Sequence, residues 1–179
     1  HIRWIVRRAA KRGYGWPRAF MSSKPEGGIN HKRYGVTSLG VLEFADAFLR
    51  EAGIDPDAEP FTVKLTGGPA GDVAGNAILQ LFARYGERAR ILAISDGHGA
   101  AYDPGGLDPG ELTRLVAAER NIAGFDRDKL SCDEAFVAAA DTPEGARLRG
   151  VLHNMVAADL FIPAGGRPDT INGGNWREF

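Results

Sequence analysis

The sequence predicts an α/β fold, a doubly wound parallel sheet with helices on its faces. Three observations predict it. Phe61-Thr62-Val63-Lys64-Leu65-Thr66 is a β-branched, apolar run of the kind buried in parallel sheets, and it stops at a glycine cluster. Helical spacing follows, with Val73, Ala77 and Leu81 on one face, Leu79 and Phe82 beside them, and an end at Gly86. A second apolar run, Arg90-Ile91-Leu92-Ala93-Ile94-Ser95, then stops at Asp96-Gly97. Strand, glycine turn, helix, strand is a βαβ unit, whose crossover is right-handed and whose strands are parallel.

The remaining elements are read outward from that unit. Ile2, Ile5, Val6 and Ala9 set a short amphipathic helix that ends near Gly13. No period holds from Tyr14 to Gly35, and a long irregular stretch of this kind is often functional. Val41, Phe44, Ala45, Phe48 and Leu49 form a helical stripe that closes at Gly53. Beyond the unit, a helix is expected over about 108–120, with Leu112, Leu115 and Val116 inward. Residues 121–142 fit no single pattern. Thr142 and Pro143 open a further helix over 143–156, as N-cap and first residue. A third strand, Asp159-Leu160-Phe161-Ile162, ends at Pro163-Ala164-Gly165-Gly166. Alternating β and α elements give a Rossmann-like sheet. With three clear strands it is expected to be truncated on its C-terminal side. The expected organisation is a helical entry segment with a glycine-rich loop over 1–57 and the Rossmann-like domain over 58–179.

Composition bounds the function. The 179 residues carry 22 Lys plus Arg and 23 Asp plus Glu, a formal charge of −1, which argues against nucleic acid or an anionic membrane as the main partner. One cysteine, Cys132, allows no internal disulfide and no cysteine zinc finger, and is read as inert. No apolar run approaches the ~20 residues of a membrane span, and no His/Cys/Asp cluster has metal-ligand spacing. A cytoplasmic protein is expected. The chain begins at His1 in helical rhythm and ends at Phe179 without a polar tail, so both ends are expected to be cut from something longer.

Glycine is the outlier, 24 of 179 residues, nearly twice the usual ~7%. The turn after the first strand, Gly67-Gly68-Pro69-Ala70-Gly71-Asp72-Val73, places backbone N–H groups at a helix N-terminus, where a pyrophosphate binds. Its spacing, Gly68-x-x-Gly71-x-x-x-Gly75, departs from the strict dinucleotide fingerprint. Asp72 as N-cap would stabilise the helix, yet its charge would repel a phosphate. On the turn alone, a phosphate cradle and a purely geometric turn are equal readings. Asp96 tips the balance: an acidic residue ending the second strand is placed to accept hydrogen bonds from a ribose, and it would repel a 2′-phosphate. The pair therefore favours a dinucleotide, NAD over NADP. Lys24, His31, Lys32 and Arg33 put cations in the loop 21–38, and His31, His98 and His153 are read as ordinary histidines.

Ser95-Asp96-Gly97-His98-Gly99-Ala100-Ala101-Tyr102-Asp103-Pro104-Gly105-Gly106-Leu107-Asp108 resembles the glutamate dehydrogenases, whose second cofactor-domain strand runs into a similar S-D-x-x-G-x-x-Y-x-x-x-G-L-D. Gly68–Asn76 is similar to that family's glycine turn; Val73 matches its central valine, and Asp72 stands where asparagine is more usual. Ala158–Ala164 is similar to the strand that brings backbone to the nicotinamide, and Thr37 matches a threonine lying by the cofactor. Met21–Pro25, Gly28–Lys32, Thr66–Pro69, Gly71–Asn76 and Phe161–Pro168 resemble the very large bacterial NAD-specific members.

The resemblance implies a cofactor-binding set of Thr37, Gly67, Gly68, Gly71, Asp72, Val73, Asp96, Gly97, Pro163 and Ala164, with NAD as cofactor. It also implies no catalytic residue in this chain, because the family's catalytic lysine and aspartate belong to a substrate domain that precedes this segment. The parent would act on L-glutamate and 2-oxoglutarate, partner the rest of its own chain, and assemble as a homo-oligomer. The isolated chain is expected to be inactive. Two alternatives stand beside this: a Rossmann-like module that senses a nucleotide without chemistry, and a dehydrogenase of another amino acid.

Overall fold

The computed structural model describes residues 1–20, 31–165 and 171–178. Lys24 and Arg167 therefore lie outside the described residues, as do the glycines at 27, 28 and 166. The chain divides into two compact units, His1–Thr37 and Ser38–Phe179.

In the first unit, α1 (Ile2–Lys11) is followed by a short 3-10 turn at Pro17–Phe20 and by α2 (His31–Tyr34). Arg8 and Lys11 in the last turn of α1 complement its negative end. On α1, Trp4 and Ile5 are 67% and 42% exposed.

The second unit is built on a five-stranded sheet of order β4-β3-β2-β1-β5. Its strands are β1 (Phe61–Thr66), β2 (Ala89–Ser95), β3 (Gly99–Tyr102), β4 (Phe136–Ala139) and β5 (Leu160–Pro163). β1 pairs in parallel with both β2 and β5, as the βαβ reading requires. β3 runs antiparallel to β2, and β4 antiparallel to β3. The α/β class and the Rossmann-like layout hold, but the sheet is mixed rather than wholly parallel. The reason is local: Asp96-Gly97-His98 reverses the chain in a tight turn, so β3 folds straight back on β2 without a crossover helix.

Helices α3 (Val36–Glu51), α4 (Asp72–Tyr85), α5 (Pro109–Ala117) and α6 (Pro143–Met155) cover the sheet. The larger core joins Leu42 and Leu49 of α3, Phe61, Val63 and Leu65 of β1, Ile78 and Leu81 of α4, and Leu112 and Leu115 of α5. A smaller core joins Leu92 and Ala93 of β2 to Ala100 of β3 and Leu152 of α6. The alternation along β1 sends Phe61, Val63 and Leu65 to the first core and leaves Lys64 buried on the other side. The Lys64 ammonium donates to the carbonyl of Val156, the C-cap of α6 (2.9 Å), where the helix end is negative. Burial pushes the Lys64 amine below its ordinary value.

The stripe expected on α3 is corrected by its packing. Ser38, Leu42, Ala45 and Leu49 are buried, whereas Phe44 and Phe48 are 72% and 68% exposed. Tyr85, at the end of α4, packs edge-on against Phe61 and donates to Asp46 of α3 (3.0 Å). Burial, with that bond behind it, pushes the Tyr85 hydroxyl up to about 12. Thr142 caps α6 as expected, accepting from the Gly145 N–H (3.1 Å).

The patternless stretch 121–142 is held by carboxylates. Asp96 accepts from the Ile122 N–H (2.8 Å), Glu111 from the Asp126 N–H (2.9 Å) and Asp103 from the Ser131 N–H (2.7 Å). Asp103 and Glu111 are buried, Asp103 completely. The paired Arg114 guanidinium holds the Glu111 carboxyl below its ordinary value, against burial and with help from the Asp126 N–H. Ahead of β4, where this segment has no ladder, its backbone donors are thus answered from α5 and from the loops that end β2 and β3.

Candidate functional site

The ends of β1, β2 and β5 meet at one edge of the sheet, where parallel strands of this architecture open a crevice. β1 leaves the sheet through Gly67, whose φ of +96° lies in the region glycine occupies freely. Its backbone is pressed on the turn after β5. A Cβ on Gly67 would lie 2.7 Å from the Ala164 carbonyl carbon and the Gly165 nitrogen, and 2.8 Å from the Ala164 oxygen. The reciprocal holds at Gly165, where a Cβ would stand 2.8 Å from the Gly67 nitrogen. The Ala164 N–H donates to the Thr66 carbonyl (2.8 Å), extending the β1–β5 ladder into the junction.

The turn then folds onto α4. The Gly71 N–H donates to the Gly68 carbonyl (2.8 Å), and Gly75 leaves room on α4 for the Pro69 carbonyl. The N-cap of α4 is Gly71, not Asp72 as the sequence reading has it. Asp72 is the first helical residue, is exposed, and accepts from the Asn76 amide (3.3 Å). Because Gly71 has no side chain, the N-cap offers the first N–H groups of α4 no side-chain acceptor, and none answers them among the described residues. Those groups and the helix dipole remain for an anionic ligand. Ser38 of α3 fastens the same end by donating to the Val73 carbonyl (2.8 Å).

Asp96 sits where the sequence places it, after β2, with its side chain 9% exposed. Its Oδ1 accepts from the His98 N–H (2.7 Å) and the Gly99 N–H (3.1 Å), and its Oδ2 from Ile122. A Cβ on Gly68 would overlap that carboxylate. Gly97 is exposed, and its carbonyl accepts from Arg149 of α6 (2.9 Å).

Gly67, Gly68, Gly71, Asp72, Val73, Asp96, Gly97, Pro163 and Ala164 therefore lie on consecutive parts of one region. Thr37 is exposed at the end of the first unit. The sequence reading missed Gly165, although a glycine just after a strand end is the signal that marked Gly67. It also missed Ser38, whose hydroxyl looks from the sequence like any helix-surface serine. The arrangement suits an anionic, extended ligand: bare backbone at the strand ends, a helix N-terminus without a side-chain cap, and a junction tight enough to exclude side chains.

Residues 27–179 match the family described as Glutamate/Leucine/Phenylalanine/Valine dehydrogenase. The chain belongs to this family. It is 36% identical over 185 residues to the NAD-specific glutamate dehydrogenase of Neurospora crassa, covering 96% of this chain and 17% of that protein. With the NAD-specific glutamate dehydrogenase of Saccharomyces cerevisiae it shares 33% over 195 residues, covering 99% of this chain and 17% of that protein. The chain thus spans about one sixth of the length of these relatives. Among solved structures, the hetero-hexameric glutamate dehydrogenase of Thermus thermophilus superimposes with a TM-score of 0.58 at 20% identity, over 99% of this chain and 36% of that one. That likeness is one of fold.

Proposed function

We propose that this chain is the dinucleotide-binding part of a glutamate dehydrogenase and that it takes NAD in preference to NADP. The observation that carries the reading is the β1–β5 glycine junction, which presents bare backbone beside the α4 N-terminus that Gly71 leaves without a side-chain cap. The residues present fit the cofactor. Gly67, Gly68, Gly71, Asp72 and Val73 would hold the pyrophosphate, Pro163 and Ala164 would approach the nicotinamide, and Asp96 and Gly97 would stand at the adenosine end. Asp72, exposed in the first turn of α4, opposes an anion there. NAD supplies the hydride acceptor. This chain's part is to hold it at the strand ends and to bring Ala164 backbone to the reacting end.

The names of the relatives support the same reading for the parent. Its reaction would convert L-glutamate, NAD+ and water to 2-oxoglutarate, ammonium, NADH and a proton. The acid–base groups for that step would belong to a substrate domain outside this chain, so the chain alone is expected to be inactive. The parent is proposed to be a cytoplasmic oligomer; no helix among the described residues is long and apolar enough to cross a membrane.

Calorimetric titration tests the reading. NAD is expected to bind at least about tenfold more tightly than NADP, about 1.4 kcal/mol. Absence of heat with either, or tighter binding of NADP, contradicts it.

A further inference from the structure

Arg149 of α6 brings a positive charge to the end of β2. The helix runs back along the sheet. Its C-cap, Val156, accepts from Lys64 in the middle of β1, and its N-cap, Thr142, follows the end of β4. A Cβ on Gly145 would overlap the Ala139 carbonyl, so the first turn of α6 is pressed on that edge strand. His153 shares a side of α6 with Arg149, four residues on, and is buried and stacked on Phe161 of β5. Arg149 stands one turn nearer the strand ends, and its Nη1 donates to the Gly97 carbonyl (2.9 Å).

That partner answers a donor and leaves the charge uncompensated. Arg50, Arg84, Arg114 and Arg147 each lie on a carboxylate. Among the described residues Arg149 lies on none, and its buried Nε meets no acceptor. Gly97 is exposed and directly follows Asp96, the residue placed to receive the adenosine ribose. The Asp96 carboxylate accepts from His98, Gly99 and Ile122, three of its about four lone-pair sites, which leaves one open to a ribose hydroxyl. The adenosine end thus carries two opposed charges. The carboxylate repels a 2′-phosphate, whereas a guanidinium fork attracts one.

We infer that Arg149 is a specificity-determining residue for the cofactor, which sets how far the site turns NADP away by attracting the 2′-phosphate that Asp96 repels. This rests on the dinucleotide reading and leaves its preference for NAD in place. With NAD the ribose keeps both hydroxyls for Asp96. With NADP one of them is replaced by a phosphate, and Arg149 offsets part of the loss. NAD carries no group at that position, so its affinity is insensitive to the Arg149 charge.

The test is titration of NAD and of NADP into the wild-type chain and into Arg149→Gln, whose amide can still donate to the Gly97 carbonyl. NADP is expected to bind the variant at least about fivefold more weakly, with NAD within about twofold of wild type. Arg149→Lys keeps the charge and is expected to restore most of the NADP binding. Arg147→Gln removes an equal charge from the same helix and is expected to leave the ratio unchanged. Equal weakening of both cofactors in Arg149→Gln overturns the inference, because a guanidinium that only braces the Gly97 turn acts on both alike. Unchanged NADP binding in that variant overturns it too, as does a wild-type chain that binds NAD but no NADP at millimolar concentration. If Arg149→Gln does not fold, Arg149→Met, which keeps the apolar stem without the charge, carries the same test. Failure of the wild-type chain to bind NAD overturns the reading of the previous section, whereas NAD binding with an unchanged ratio overturns this inference alone.

Discussion

Gly67→Ala is expected to separate the β1 and β5 loops, to destabilise the chain by about 2–4 kcal/mol and to weaken dinucleotide binding by about 100-fold. The cause is two-fold. The residue holds a φ of +96°, strained for any side chain, and the new methyl would sit 2.7–2.8 Å from backbone atoms of Ala164 and Gly165. Backbone on both sides cannot swing aside as a side-chain tip would, so the loops must part. Gly40→Ala is the matched control. Gly40 lies on the exposed face of α3, its Cβ would meet nothing within 4 Å, and its φ is not positive. That change is expected to raise stability by about 0.5–1 kcal/mol, through helix propensity, with affinity untouched. Denaturant midpoints and titration of the two variants side by side check both statements.

Asp103→Ala is expected to cost about 3–5 kcal/mol and to loosen the chain around Ser131 before the sheet gives way. Asp103 is fully buried and accepts from the Gly105 N–H (2.8 Å), the Ser131 N–H (2.7 Å) and the Ser131 hydroxyl. Its removal leaves those donors without an acceptor in a place closed to water. Acid is expected to act in the same direction through Glu111. Its folded pKa is lowered, chiefly by Arg114, so its contribution is complete above the ordinary carboxylate value and is lost as pH falls through the lowered one. Unfolding curves that follow far-ultraviolet circular dichroism, with amide exchange at Ser131 and Asp126, check this. Equal loosening of β1 and of Ser131 would contradict it.

What the sequence made legible, and what it hid, follows from the range of the forces involved. β1, α4, β2 and β5 are announced by local signals: an apolar run, a glycine stop and a 3.6-residue period. β3 and β4 are not, because Gly99-Ala100-Ala101-Tyr102 and Phe136-Val137-Ala138-Ala139 are four residues long, and mostly small. The stretch 121–135 has no period because its backbone is answered by Asp96, Asp103 and Glu111, acceptors 15 to 28 residues away. Nothing in the local sequence can signal a partner that distant. On α3 the apolar residues outnumber the one face that can be buried, so spacing chose Phe44 and Phe48 along with Ala45 and Leu49, whereas packing buried Leu42, Ala45 and Leu49.

At the site the same division holds. The glycine turn and its neighbours could be named from the sequence. Which glycine caps α4, and how many N–H groups already occupy Asp96, depend on backbone directions that no residue name carries.

The most direct test of the account is a map of amide shifts as NAD is added to the isotope-labelled chain. The largest changes are expected at Gly67, Gly68, Gly71, Asp72, Val73, Gly97 and Ala164, with the Trp4 and Phe44 amides unmoved. Changes concentrated away from the ends of β1, β2 and β5, or none at millimolar NAD, would contradict the assignment of this crevice as a dinucleotide site.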